Sequence, residues 1–467
     1  MKNSIIQILV MLLLPIASWS QQDSSYKMTY ETYLRQVLDH HPRVYQADIV
    51  QENGAASVLK AKGGFDPKLE GSIQQKYFDD KQYYSTINAG LKVPTWFGLS
   101  AKAGYDKNQG VYLNQSDRMP ESGLWYAGLE LELGKGLIID QRRAELKKAK
   151  LFQQSSELER QMLRNELVLE ASEAYWDWMN AYFQKDIFEE AVANAKFRLE
   201  GVIATVIMGD RPAIDTVEAS IQWQNRLFGY NQAILNLENA KEKLQLYLWV
   251  DGNVPLELNN ASPILPSISN MMDLFQRTLL EKDSLLLNHP YLQINELKLK
   301  QNIVDFKLKR EELKPELTLK YNALNAPVNN NPITNYSMAN YTWGGTLSYP
   351  ILSRKARGDV KLSKLKIEDA KLNNKQLSAK VNYSINVSEN KLNTAINQLA
   401  LFQQTEDSYR RLYFAERDLF NIGESSLFMI NSREKSFLDA QIKRIDLITK
   451  ALISGNELNY QLMIPVE

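Results

Sequence analysis

Residues whose types suit catalysis or metal binding are few in this sequence. The three histidines, His40, His41 and His289, stand close to prolines at the starts of helical segments, with no carboxylate or thiol at ligand spacing. Cysteine is absent, which excludes disulfides, thiolate metal sites and cysteine nucleophiles. The phosphate-binding loop G-x-x-x-x-G-K-[ST] and the H-E-x-x-H and G-x-S-x-G motifs are also absent. We therefore expect no enzyme activity, no cofactor and no bound metal.

The charge balance restricts the partners of the chain. The sequence has 55 Lys and Arg residues against 55 Asp and Glu residues, so its formal net charge is zero. Such a chain has no broad cationic surface that would attract DNA or RNA. Hydrophobic residues make up 44% of the chain and charged residues 24%, which is typical of a sequence that folds. Nucleic acid is therefore not an expected partner.

The first twenty residues have the three parts of a secretory signal. Lys2 supplies the positive segment, residues 5–16 are mostly apolar, and Ser18 and Ser20 fit a small-x-small cleavage site. No run of eighteen apolar residues occurs after this segment, so we expect no transmembrane helix in the mature chain. We predict a signal peptide at residues 1–20 and an exported protein.

Residues 128–150, GLELELGKGLIIDQRRAELKKAK, change their apolar period partway along. Leucines and glutamates alternate over residues 129–133, as in a strand with one buried face, whereas the residues from Arg142 onward follow helical spacing. Gly134 and Gly136 lie between the two patterns, and glycine supplies backbone freedom that other residues lack. We predict a strand that passes directly into a helix, although an ordinary turn would contain the same residues.

Strict alternation of apolar and polar residues marks six candidate strands. Several approach the nine to eleven residues that a tilted strand needs to cross a membrane, and aromatic residues collect near their ends. A soluble β-sandwich would alternate in the same way. In a membrane the sheet must close, and the smallest common barrels have about eight strands, so several copies of the chain would have to contribute strands. The segments are residues 69–77, 87–93, 99–105, 125–133, 317–321 and 341–349.

Two long stretches, residues 143–208 and 357–422, contain no proline. As straight helices they would be ~100 Å long, far beyond the helices of globular domains. Apolar residues follow a heptad ladder from Leu167 to Val202, which only Lys185 breaks, and a weaker ladder lies in register in the second stretch. A purely structural coiled coil would show the same ladders.

The chain also has an internal duplication. His41-Pro42 is matched by His289-Pro290, and Gly209 is matched by Gly423. Each half contains a helix, strands, a very long helix, a glycine turn and a returning helix. We predict a first repeat at residues 21–250 (strands 69–133, long helix 143–208, helix 214–249), a connection at 251–270 and a second repeat at 271–467 (strands 317–349, long helix 357–422, helix 431–462).

This organisation resembles the TolC-like outer-membrane efflux proteins, also called outer membrane factors. The resemblance covers nearly all of the mature chain, and it is strongest at residues 128–150 and at their partner GGTLSYPILSRKARGDVKLSKLK, which contains Pro350 at its strand-to-helix joint. It implies an α+β membrane protein in which each chain of a homotrimer contributes a stave to an outer-membrane β-barrel. The barrel would continue into a long periplasmic α-helical coiled-coil barrel.

The function implied by the resemblance is that of an exit duct. The duct would serve a tripartite efflux or type I secretion system in the outer membrane of a Gram-negative bacterium, with most of its mass in the periplasm. It would be a passive conduit, opened by docking of a periplasmic adaptor (membrane fusion) protein and an inner-membrane RND or ABC transporter. The alternatives are a secreted or periplasmic structural coiled coil with a globular head and a porin that works without an adaptor.

The resemblance also implies a site at the periplasmic tip, where a glycine is followed six residues later by an acidic residue and then by another polar residue. A ring of such carboxylates from three copies would favour cations. An N-cap is the alternative role for Asp215, and an ordinary solvated helix face is the alternative for Glu218 and Glu434. The matching residues are Gly209, Asp215 and Glu218 in the first repeat, and Gly423, Asn431 and Glu434 in the second, the last two only after a two-residue insertion.

One hairpin, at residues 87–105, departs from the usual pattern of the family. It either adds two strands per chain to the barrel or decorates the outer or periplasmic surface. Its alternation is as clean as that of the other segments, which favours extra barrel strands.

Overall fold

The computed structural model describes residues 26–251, 254–258, 260–267, 282–327 and 336–465. The predicted signal peptide at residues 1–20 lies outside this part of the chain. The described residues form two compact units. We call them the helical unit (residues 26–41, 170–251, 254–258, 260–267 and 395–453) and the sheet unit (residues 42–169, 282–327, 336–394 and 454–465).

Helices account for most of the described chain, and two of them are very long. The helices in chain order are α1 (Tyr30–His40), α2 (Pro42–Lys62), α3 (Gln141–Ile207), α4 (Ile214–Gln245), α5 (Lys282–Leu287), α6 (Pro290–Glu311), α7 (Arg354–Asn421) and α8 (Leu427–Gln461). The strands are β1 (Tyr26–Met28), β2 (Lys68–Phe78), β3 (Lys81–Pro94), β4 (Leu99–Gln109), β5 (Leu124–Gly134), β6 (Trp249–Val250), β7 (Val254–Pro255), β8 (Ala261–Pro263), β9 (Glu316–Asn325) and β10 (Tyr341–Ser348). No helix among the described residues is both long and apolar enough to cross a membrane.

The sheet unit contains one antiparallel sheet of six strands, in the order β10-β9-β5-β4-β3-β2. The hairpin at residues 87–105 lies within β3 and β4, which pair with each other between β2 and β5. It therefore belongs to the sheet and does not decorate its surface. Strands β5 and β9 join residues from the two halves of the chain in one continuous sheet.

The two faces of this sheet differ in polarity over its whole width. Because side chains alternate along each strand, the strand register decides which residues share a face. One face carries large apolar side chains with nothing packed on them: Leu69, Ile73, Trp343 and Leu347 are 71–85% exposed. The opposite face is polar, and the ammonium groups of two lysines, Lys92 and Lys102, contact the Glu130 carboxylate there.

Glycine on the polar face makes room for one aromatic ring. Tyr126 on β5 extends across its neighbours and covers the backbone at Gly104 on β4 and Gly90 on β3. A Cβ atom added to Gly104 or Gly90 would lie 2.5 or 2.4 Å from the Tyr126 hydroxyl oxygen. A glycine whose place is covered by a cross-strand ring is a known device for keeping strand register.

The core of the helical unit is built from the predicted heptad ladders. Ala171, Ala174 and Trp178 on α3 are almost fully buried, and so are Ala395 and Leu399 on α7. Small alanines at these positions allow neighbouring helices to approach closely, while the larger residues fill the remaining volume. In the sheet unit the ladder residues Leu167, Val381, Ile385 and Leu392 are buried as well.

Candidate functional site

The long helices of the helical unit end in two glycine turns with the same geometry. Gly209 has φ +82° after α3, and Gly423 has φ +83° after α7. In each turn the residue after the glycine donates its N–H to a carbonyl five residues earlier: Asp210 to Thr205 at 3.0 Å and Glu424 to Leu419 at 2.9 Å. This is the Schellman cap. It requires one residue in the left-handed backbone conformation, which glycine adopts without strain. A Cβ at either glycine would have no neighbour within 4 Å, so the backbone angle alone demands glycine.

A buried ion pair lies at the centre of the helices that flank these turns. Arg198 on α3 donates to both carboxylate oxygens of Glu434 on α8, at 2.8 and 2.9 Å, and to the Asn431 Oδ1 at 2.9 Å. The amide nitrogen of Asn431 donates in turn to Glu218 on α4, at 3.1 Å. Three of the six predicted tip residues therefore meet in one network, and Arg198 is the member that sequence analysis missed.

Burial and charge together set the protonation state of this network. Burial alone would lower the pKa of the Arg198 guanidinium, but its hydrogen bonds and attraction to Glu434 raise that pKa overall. Burial raises the pKa of the neighbouring Tyr413 hydroxyl on α7, and the Glu434 charge raises it further, against a smaller lowering by Arg198. Arg198 is therefore permanently charged, and its side chain interacts with residues of α4, α7 and α8 through direct contacts or through Asn431.

The structure excludes the alternative roles of Glu434 and Asp215, which were a solvated helix face and an N-cap. Glu434 is 5% exposed and paired, so it does not lie on a solvated helix face. Asp215 is not the N-cap of α4, because that position is held by Ala213 and Asp215 lies within the first turn. The Asp215 carboxylate instead pairs with Arg211 at 3.4 Å, where a negative charge also suits the helix N-terminus.

The two glycine turns are linked by packing. The Arg211 guanidinium lies over the Phe420 ring at 4.7 Å from its centroid, a cation–π contact between the loop after α3 and the end of α7. An apolar cluster lies beside it and includes Val202, Tyr413 and Ile430. Between these helices lies a cavity of about 660 Å³, lined in part by Arg198, Tyr413 and Glu434.

Each glycine turn carries a pair of exposed apolar side chains at the same positions relative to the glycine. The residue before the glycine and the fifth residue after it are Met208 and Ile214 in the first turn and Ile422 and Phe428 in the second. All four are 66–69% exposed, although each is large and apolar. The identical offsets in both halves are visible in the sequence. The sequence does not show, however, whether apolar residues at a turn are exposed or buried.

The predicted strand-to-helix joint after β5 has the backbone conformation that its glycines allow. Gly134 has φ +80° and Gly136 has φ +91°, both in the left-handed region. A Cβ at Gly134 would lie 2.2 Å from the Pro315 carbonyl oxygen, so close packing also requires glycine there. The Lys135 amide donates to the same carbonyl at 2.9 Å, and its ammonium pairs with Glu316 at 3.1 Å.

Asp140 caps α3 and holds the joint together. Its Oδ1 accepts from the backbone N–H of Arg143 at 2.9 Å, and its Oδ2 accepts from the Arg142 guanidinium at 2.9 Å. Burial would raise the pKa of Asp140, but the hydrogen bonds from Arg143 and Arg142 lower it below its usual range. The Arg143 guanidinium also donates to the carbonyls of Leu137 and Gly136. The chain between β5 and α3 is thus a fixed turn.

The joint after β10 is built differently. Pro350 accepts through its carbonyl oxygen from the backbone N–H of Ser353 at 3.1 Å and from its hydroxyl at 2.6 Å, just before α7 begins. Ser353, and not a glycine, has the positive φ here, +43°. The residues flanking Pro350 are apolar and exposed: Tyr349, Ile351 and Leu352.

Comparison with known proteins shows which family the second half of the chain resembles. The sequence model of the family described as Outer membrane efflux protein matches residues 282–462. This part of the chain is therefore similar to that family. No curated protein sequence matches the chain. The match confirms the predicted resemblance and the prediction of an outer-membrane efflux channel and not an enzyme.

Solved structures show that the similarity in fold also covers the first half of the chain. The Campylobacter jejuni CmeC outer membrane channel is 18% identical, with 92% of this chain and 85% of that chain covered and a TM-score of 0.62. The open state of the Neisseria gonorrhoeae MtrE outer membrane channel is 11% identical, with 93% and 88% covered and a TM-score of 0.66. VceC of Vibrio cholerae is 11% identical, with 94% and 96% covered and a TM-score of 0.64. The overall fold is thus that of outer-membrane channels.

The described residues of this chain contain no candidate metal site. No cluster of three or more His, Asp or Glu side chains in that part of the chain could hold a metal ion. The polar side chains that were predicted to lie at a periplasmic tip are all paired: Glu434 with Arg198, Asn431 with Glu218, and Asp215 with Arg211. What this arrangement can do is hold helices in a defined position, and we take it as the candidate functional site.

Proposed function

We propose that this protein is a homotrimeric exit duct in the outer membrane, the last component of a tripartite efflux or type I secretion system. Its own part is passive, and it opens when a periplasmic adaptor and an inner-membrane RND or ABC transporter dock. The observation that carries the proposal is the six-stranded sheet with one uncovered apolar face, whose strands pass through fixed joints into helices that end in matched glycine turns.

The sheet suits a lipid environment. Large apolar side chains on one face would be unfavourable in water, because monomeric soluble proteins rarely expose contiguous apolar patches of this kind. The polar face, with Lys92, Lys102 and Glu130, suits a water-filled interior. Both requirements are met if the sheet is part of a closed barrel.

The glycine turns suit the docking of a protein partner. Met208, Ile214, Ile422 and Phe428 are exposed and apolar, and they recur at the same offsets in both halves. Exposed apolar residues rimmed by polar ones mark protein interaction sites. The adaptor is the partner that we propose for them, and it would cover these side chains when it docks.

The charged network suits a gate between two states. Moving α8 relative to α3 has to separate Arg198 from Glu434, and leaving one member of a buried pair unpaired is costly. A docked partner would supply the free energy for this step. The carboxylates of Glu218 and Glu434 enter the proposal as contacts between helices. The Asp215 carboxylate enters it as the partner of Arg211, which lies over Phe420. A ring of these carboxylates across three copies stays a prediction.

Two other functions fit the observations less well. A structural coiled coil with a globular head does not need an apolar sheet face that is open to solvent. A porin that works without an adaptor does not need helices as long as α3 and α7. The family match at residues 282–462 favours neither of them.

The deciding experiment is the mass of the unboiled, detergent-purified protein together with membrane fractionation. An outer-membrane trimer that conducts ions across a planar bilayer is expected. A soluble monomer that needs no detergent would overturn the proposal. Conductance that is large and constant in the absence of any partner would favour the porin alternative.

A further inference from the structure

The six-stranded sheet has two open edges. Strands β2 and β10 have a hydrogen-bonded neighbour on one side only in the described part of the chain, and all of their residues are exposed. An edge with free N–H and C=O groups cannot face lipid, because each unsatisfied group costs several kcal/mol there. The edges of a membrane sheet must therefore find partners.

We propose that β2 of one copy pairs with β10 of the next, so that three copies close a barrel of eighteen strands. The trimer itself rests on the proposed function. The inference adds two points to it: the β3–β4 hairpin forms part of the barrel wall, and the register between copies is set by the register within each copy.

The strand directions allow this closure. Every neighbouring pair in the sheet is antiparallel. With six strands, β10 runs opposite to β2, so the junction between copies continues the antiparallel order without interruption. An odd number of strands would force a parallel pair at each junction.

The faces of the sheet match across the same junction. One hydrogen-bonded row starts at Leu69 on β2, passes through Leu91 and Ala103 and ends at Tyr341 on β10. All members of this row are on the apolar face. If the neighbouring copy curves in the same direction, the apolar faces of both copies lie on the outside of the barrel. A slip by one residue would turn Leu69 toward the polar interior.

The stagger within one copy agrees with the tilt of strands in barrels. At the strand ends next to the helices, Gly134, Glu316 and Ser348 lie in one row. Lys68, the first residue of β2, lies instead in the row of Thr342, six residues before Ser348. Six residues span about 20 Å along a strand, and the five strand spacings from β2 to β10 span about 24 Å. The slope corresponds to a tilt of about 40°, which is within the range of outer-membrane barrels.

Closure with level ends then fixes the pairs between copies. With Lys68 beside Ser348 of the next copy, Leu69 lies opposite Leu347 and Ile73 lies opposite Trp343. These four side chains are all on the apolar face and are among the most exposed of the sheet. In the closed barrel these four side chains pack against each other and against lipid, so they are no longer exposed to water. A barrel of eighteen strands leaves an aqueous channel, as in porins, so the duct is open at this level.

Paired cysteines test the register in the intact chain, which has none of its own. Leu69→Cys combined with Leu347→Cys should give covalent dimers and trimers when the outer-membrane protein is oxidised. The matched control is Leu69→Cys combined with Thr346→Cys, since residue 346 is adjacent in β10 but lies on the opposite face. A trimer that forms no such links, or links equally well in both variants, overturns the register.

An electron-microscopy map of the detergent-solubilised trimer tests the number of strands. Eighteen strands, with β3 and β4 in the wall between β2 and β5, are expected. A trimer with twelve strands and the hairpin outside the wall overturns this inference and leaves the proposed function intact. A soluble monomer overturns the proposed function itself, so the two failures are distinguishable.

Discussion

Arg198 on α3 and Glu434 on α8 form a two-pronged ion pair, with one hydrogen bond to each carboxylate oxygen at 2.8 and 2.9 Å. They are 236 residues apart in the chain, and their side chains are only 11% and 7% exposed. Two parallel hydrogen bonds define orientation as well as distance. The pair therefore sets both the spacing and the rotation of the two helices near the glycine turns.

Removal of the Glu434 carboxylate should loosen the helical unit. Glu434→Ala leaves the buried guanidinium of Arg198 unpaired, and breaking a buried pair in this way costs about 3–5 kcal/mol. We expect a lower denaturant midpoint for the helical signal and, in a planar bilayer, more frequent openings of the channel. Both can be measured on the detergent-purified protein by circular dichroism and by single-channel recording.

The control for this change is Asp439→Ala, because Asp439 is exposed on the same helix. It should leave stability and opening frequency unchanged. The double variant Arg198→Met with Glu434→Leu should recover much of the lost stability, since two apolar groups need no pairing. If Glu434→Ala behaved as Asp439→Ala does, the ion pair would not hold the helices.

Alanine at either turn glycine should destabilise its helix end for a backbone reason alone. Gly209 and Gly423 have φ near +80° and open space around the missing Cβ. A left-handed backbone costs an alanine roughly 1–2 kcal/mol. Gly201 is the matched control, because it also has open space but lies within α3. Gly201→Ala should stabilise the protein by up to about 1 kcal/mol, and a change of the same sign in all three variants would contradict the explanation.

Polar substitution of the exposed apolar residues at the turns should weaken adaptor docking without weakening the trimer. Met208→Asp with Phe428→Asp removes apolar area that is open to solvent and so costs little folding free energy. The measurement is the yield of adaptor cross-linked to this protein in whole cells. Leu287→Asp on α5, also an exposed apolar residue, is the control and should retain the adaptor. Equal yields from both variants would exclude these turns from the docking surface.

The capping carboxylate at the β5–α3 joint should make stability depend on pH in the acidic range. The pKa of Asp140 is lower in the folded protein than the value near 3.9 of an unfolded aspartate. Its contribution is therefore complete above that value and is lost as the pH falls from about 4 through the folded pKa. Asp140→Asn keeps the cap but removes the charge, so it should cost roughly 1–3 kcal/mol at pH 7.

The difference between wild type and Asp140→Asn should shrink toward pH 3, as measured by urea unfolding at a series of pH values. Glu200→Gln removes an exposed carboxylate from α3 and is the comparison. It should show no pH-dependent difference from wild type in this range. A penalty for Asp140→Asn that stays constant down to pH 3 would mean that the Asp140 charge is not what stabilises the joint.

Features that depend on neighbours in the chain were visible in the sequence. Alternation along 125–133 indicates a strand because side chains of a strand point to opposite faces in turn. Gly134 and Gly136 could be identified as a joint because the apolar residues follow strand spacing before them and helical spacing after them. Glycine allows the backbone angles that such a change of structure needs. Apolar ladders along α3 and α7 indicate which helix faces are buried, since the heptad period is local.

Contacts between distant segments were decided only by the tertiary structure. Arg198 sits beside the ladder residue Leu199, and nothing local distinguishes it from a solvated cation. Only the packing of α3 against α8 makes it the partner of Glu434. The role of Asp215 likewise depended on where α4 begins, and Ala213 holds the cap although aspartate is the better capping residue.

The sequence by itself therefore determined the elements of this protein: its amphipathic strands, its long helices and the glycines between them, all of which follow from periodicity and backbone freedom. The tertiary structure decided which elements meet. It placed the hairpin of β3 and β4 between β2 and β5, and it buried Glu434 beside Arg198. Strand register and ion pairing depend on free energies summed over residues far apart in sequence, and no local pattern encodes that sum.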